Sequence, residues 1–223
     1  MSYISGMEFH FDLDFNEIDI EDAEQYLKKT VSKYSDVIYN QKTEIFVHLE
    51  EGSLKAKILI LGAIYIGIGQ YGSFRSGIDY MIQDAKSLKH LVTSELIKNG
   101  INESDIIESK KAYCDPDKIR RVLLAIERLE LKSKISQTEQ QKEISKIRTS
   151  VSNICWSLSE EDAGMFVSSI NQKYWPPNRD IPYLIDKYRL MAREEDIIRY
   201  SISSGDQPLV NKVLQLTALP RSR

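Results

Sequence analysis

Residues 44–84 read EIFVHLEEGSLKAKILILGAIYIGIGQYGSFRSGIDYMIQD, and the fold turns on how they are parsed. Ile45, Val47 and Leu49 recur every second residue, the spacing of a half-buried strand. Gly52-Ser53 then breaks the chain. Beyond it Leu54, Ala56, Ile58 and Ile60 alternate with Lys55 and Lys57, which suits a third strand hairpinned to the second. A helix N-capped by Ser53 is the rival, and periodicity alone leaves both open for so short an apolar run. After Gly72, Ile78, Met81, Ile82, Ala85, Leu88, Leu91, Val92 and Leu96 recur every three or four residues. This predicts a strong amphipathic helix ending at Asn99-Gly100.

Upstream, Phe9, Phe11, Leu13 and Phe15 alternate with Glu8, His10, Asp12 and Asp14, which predicts a strand over 8–15. From Asp19 the spacing turns helical through Ile20, Ala23, Leu27, Val31 and Tyr34, with an acidic opening that suits a helix N-terminus. The first fifty residues therefore read β-α-β. Downstream, Asp115 as N-cap and Pro116 at the first helical position mark a boundary. Everything beyond reads helical. Ile119, Val122, Ile126 and Leu129 form one stripe, and Ile144, Ile147, Val151, Ile154 and Leu158 form a second after the polar stretch 133–141, so an antiparallel helical hairpin or a short coiled coil is expected. Ser159 opens a further helix, Trp175-Pro-Pro-Asn178 breaks the chain, and helices are expected over 181–200 and 207–216. The fold class is α+β: a small N-terminal β-α-β(β) module over 1–112, followed by an all-helical module over 113–223.

The glycines between 62 and 72 admit three uses. Gly67-Ile-Gly69-Gln-Tyr-Gly72 matches the G-x-G-x-x-G of a dinucleotide-binding turn. That fingerprint also needs a second parallel strand with an acid about 20 residues on, and here 86–95 continues a helix. A second use is membrane insertion of Ile58 to Gly69, 12 uncharged residues against the ~18–20 of a spanning helix, so several copies would have to act together. The third is close packing: if the chain is helical from Ile58, then Gly62, Gly69, Ser73 and Ser76 fall near one face with Gly72 beside them, and small residues let another backbone approach. Arg75 and Asp79 would then pair.

Catalytic groups are scarce. His10, His48 and His90 form no ligand motif, although His10 and His48 could be neighbours on one sheet face. Cys114 has no base nearby in sequence, and Cys155 sits in the helical core pattern. Tyr174 and Trp175 are either a docking knob or, more simply, a domain-closing contact. No metal, cofactor or catalytic residue is called for.

Of the 223 residues 42% are hydrophobic and 28% charged, with a net charge of -3, which argues against nucleic acid as a partner of the whole protein. Two widely spaced cysteines and no signal sequence make the cytoplasm the expected compartment. Charge is uneven, though. Residues 1–27 carry eight acids and no Lys or Arg, whereas 110–148 is rich in both. A solvated helix face explains this simply; head-to-tail association of an acidic end with a basic middle is the sharper reading.

The β-α-β start, with Glu51-Gly52-Ser53-Leu54-Lys55 and the glycine-spaced segment, resembles the small α+β adaptor domains of bacterial conflict systems that are similar to the N-terminal domain of the death-receptor adaptor TRADD. The resemblance covers about residues 7–82. It implies a non-enzymatic role in immunity or programmed cell death, joining an effector to a sensor, and it transfers no functional residue. The expected function is thus a self-associating adaptor or regulatory subunit in a bacterial defence or stress system, with a protein partner, a homo-oligomer or both. Its contact surfaces would be Gly62, Gly69, Gly72, Ser73, Arg75 and Ser76, and the stripe Ile144, Ile147, Val151, Ile154 and Leu158. The alternatives are a membrane-perturbing effector and a nucleotide-binding enzyme using Gly67–Gly72.

Overall fold

The computed structural model describes residues 1–13, 18–50, 54–69, 73–132 and 135–176. Four strands form one antiparallel sheet in the order β2-β3-β1-β4, where β1 is Ser2–Phe11, β2 Glu44–Glu50, β3 Lys55–Gly62 and β4 Ile106–Lys111. Helix α1 (Ile20–Ile38) carries the chain from β1 to β2, past the position of β3. Helix α3 (Phe74–Lys98) carries it from β3 to β4, past β1. This is the β-α-β-β-α-β or split β-α-β layout, with a short extra helix α2 (Ile64–Gly69) ahead of α3. Helices α4 (Asp115–Leu131), α5 (Gln137–Cys155) and α6 (Glu160–Ser168) follow. The α+β class and the helical second half stand as the residue patterns predict.

The expected strand at 8–15 begins six residues earlier, at Ser2, and ends at Phe11. Residues 14–17 lie outside the described residues, as do residues 51–53 with the expected break at Gly52-Ser53 and the expected helices over 181–200 and 207–216. Residues 55–62 settle the open choice as strand: Ile58 faces Val47 and Met7, and Ile60 faces Ile45 and Ser5. Met7, Phe9, Ile45, Val47, Ile58 and Ile60 turn one sheet face into the core. Leu27 and Val31 of α1, and Ile78, Met81, Leu88 and Val92 of α3, cover it. The same apolar cluster continues through Ile119, Val151, Ile154 and Phe166 to Tyr174.

Both sheet edges are blunted by side chains from the covering helices. Glu24 of α1 accepts the Leu49 N–H at 3.1 Å, and Lys89 of α3 donates to the Ser109 carbonyl at 3.2 Å. Each occupies a backbone group that another strand could have used.

The start of α4 differs from expectation by one residue. Cys114 is the N-cap, Asp115 is the first helical residue, and the Asp117 carboxylate accepts the Cys114 N–H. Asp115 is freed to turn inward. Its Oδ2 accepts the Tyr3 N–H at 2.9 Å, and its Oδ1 takes Lys118 at 2.8 Å and the Ser157 hydroxyl at 3.0 Å. Asp162, also buried, makes a second such tie. It accepts from the Ser2 hydroxyl at 2.6 Å and from the Tyr65 N–H at 2.8 Å, while Ser2 Oγ accepts the Ser159 N–H at 2.9 Å. The first residues of the central strand are thereby bonded to the starts of α4 and α6.

Candidate functional site

The glycine segment divides among three elements, so Gly62, Gly69, Ser73 and Ser76 do not line one helix. Gly62 is buried at the end of β3, where an added Cβ would stand 2.7 Å from Ile4 Cδ1. Gly69 ends α2 with open space around the position of a Cβ. Ser73 is the N-cap of α3, accepting from Ser76 N–H, and Gly72 lies outside the described residues. Arg75 pairs with Glu127 of α4 rather than with Asp79, which pairs with Arg120. Close backbone packing does occur, but at Gly77, where an added Cβ would lie 2.9 Å from Ile68 Cα, and at Gly67 against Met81. The contact is made within the chain, between α2 and α3.

The second stripe is likewise used internally. Ile147, Val151, Ile154 and Leu158 are buried and Ile144 packs against the same cluster. Tyr174 is buried and Trp175 packs on the core with its indole N–H donated to the Ile170 carbonyl, which is a closing contact. His10 and His48 are not neighbours: β3 lies between them, and they face Lys55 and Lys57. Burial pushes the Cys114 thiol up to about 12, which leaves almost no thiolate for chemistry at neutral pH. Gly67 and Gly69 form the last turn of α2 and make no strand-to-helix turn, and among the described residues every strand pair is antiparallel, unlike the parallel crossover of a dinucleotide fold. Among the described residues no His, Cys, Asp and Glu cluster could hold a metal, and no helix is long and apolar enough to cross a membrane.

An open groove of about 870 Å³ between α3 and α4 carries the most distinctive surface chemistry. The ion pairs Arg75–Glu127 and Asp79–Arg120 pin the two helices side by side and antiparallel. Ile82 and Leu124 give the groove apolar lining. Arg121 lies over the ring of Tyr113, 5.4 Å from its centroid, a cation–π geometry that leaves the guanidinium edge open to a ligand. Arg121, Leu124 and Arg128 follow helical spacing along α4, and Lys86 lines the α3 side of the groove. Among the described residues Lys86, Arg121 and Arg128 have no carboxylate partner; of the two groove acids, Asp79 is held by Arg120 and Asp117 by Lys111.

The opposite charge collects at the far end of β1. Asp12 follows the strand, and its N–H bonds the Asp105 carbonyl at 2.8 Å. Asp19 caps α1, and Glu21 and Asp22 are exposed in its first turn. Among the described residues Glu21 and Asp22 have no cation partner. The basic stretch singled out in the sequence thus contributes the α4 side of the groove, whereas Lys86, Ile82 and the partnering of the acids were not legible, since they depend on how α3 and α4 meet. No known protein family, characterised protein or solved structure matches the chain.

Proposed function

We propose that this chain is a non-enzymatic, self-associating adaptor or regulatory subunit of a bacterial defence or stress system. The observation that carries the reading is the α3–α4 groove, whose three cations have no carboxylate partner among the described residues, while the same chain presents an acidic first turn on α1. Charge of this kind steers encounters and selects partners more than it adds raw affinity. The split β-α-β layout serves many unrelated roles, so the argument rests on the groove. The resemblance of residues 7–82 to bacterial TRADD-N-like adaptor domains points the same way.

The test is size-exclusion chromatography with light scattering over a concentration series at low salt, with and without liposomes. The expected result is a mass that grows with concentration and is indifferent to lipid. A strict monomer at high micromolar concentration, with no protein partner recovered, would sink the reading.

A further inference from the structure

The layout of charge gives that association a direction. Helix α3 packs against α1 on one flank, through Glu95 with Lys33 and Tyr34, and against α4 on the other, through Arg75 and Asp79. The acidic first turn of α1 and the cationic groove therefore belong to opposite flanks of α3. They also belong to opposite ends of β1: Tyr3 is bonded to the start of α4, whereas Phe11 leads toward the acidic turn. At ~3.3 Å per residue, that strand puts on the order of 25 Å between them. A copy cannot seat its own acidic turn in its own groove.

We infer that copies of this chain join head to tail, the exposed Glu21 and Asp22 of one copy entering the groove of the next beside Arg121, Arg128 and Lys86; this rests on the self-associating reading above. The groove offers what such a guest needs: planar guanidinium groups for the carboxylates and an apolar lining, Ile82 and Leu124, for the exposed Tyr26 one turn on. The two surfaces are different patches, so the contact is heterologous and does not close on itself at two copies. Such contacts build rings or open chains.

Charge reversal tests this on the full chain. One variant carries Arg121→Glu with Arg128→Glu, the other Glu21→Lys with Asp22→Lys. All four side chains lie at the surface without a carboxylate or cation partner among the described residues, and circular dichroism and melting temperature are the check that each variant still folds. Each variant alone is expected to lose assembly at low salt, by about tenfold or more in apparent affinity. Mixing the two brings each groove a turn of opposite sign and should restore the mass, as should the four substitutions combined in one chain. Wild-type oligomers that ignore both reversals would overturn the head-to-tail contact and leave self-association standing on another surface. A species that stops at two copies would overturn it equally. Monomeric wild type would remove self-association itself, even if the groove bound poly-glutamate, since its guest would then be another acidic protein.

Discussion

Asp115 shows how one side chain can serve two parts of the fold at a cost that depends on pH. Burial pushes its carboxyl above the ordinary value of 3.8, and neither Lys118 nor the bonds from Tyr3 and Ser157 bring it back. The folded protein therefore holds this proton more tightly than the unfolded chain. The stability that the site contributes is full below the unfolded value and is lost as pH rises through the folded one. Asn can still accept the Tyr3 N–H but does not titrate. Urea midpoints for wild type and Asp115→Asn, measured from about pH 4 upward, should show the wild-type advantage shrinking with pH and then levelling. An advantage that grew with pH would mean that the Lys118 pair outweighs burial. The Asp-Pro pair marks a helix start in the sequence, but the inward role of Asp115 is fixed by Tyr3, 112 residues away, and no local pattern records that.

Among the elements, period and caps account for most of what could be read in advance. Strand β2 coincides with its alternating residues, and α1 begins after Asp19, whose side chain accepts the Asp22 N–H. Strand β4 was not legible: IIESKK offers only Ile106 and Ile107 as apolar residues, and it becomes a strand through its ladder with β1. The glycines were legible as a packing device but not at the right positions, because α2 is too short to show a period. Gly77 carries the contact with Ile68, whereas a Cβ added at Gly69 would meet no described residue. Gly77→Ala is expected to destabilise by about 1–3 kcal/mol through overpacking against backbone, whereas Gly69→Ala stays within about 0.5 kcal/mol. Thermal melts of the two variants check this. A harmless Gly77→Ala would mean that α2 can lift away from α3.

At the scale of the molecule, the apolar cluster that joins sheet and helices, together with the two aspartate ties, predicts one unfolding unit. The only two tryptophans, Trp156 and Trp175, belong to the helical half, so their fluorescence reports on it while far-ultraviolet circular dichroism reports on the whole. The two urea transitions should coincide. Asp162→Ala, which strands the Ser2 hydroxyl and the Tyr65 N–H, should shift both together by about 2–4 kcal/mol. Transitions that separate would show that the halves melt independently.

The tie between Ser2 and Asp162 also bears on how the protein is made. Asp162 leaves the ribosome 160 residues after Ser2. At the usual ~5–20 residues per second, the central strand waits roughly ten to thirty seconds for the group that fixes its end. Through that interval β1 can ladder with β3 and then β4 as they emerge, but its first residues stay unanchored. The nascent sheet is thus exposed to the cell before its helical half can lock it.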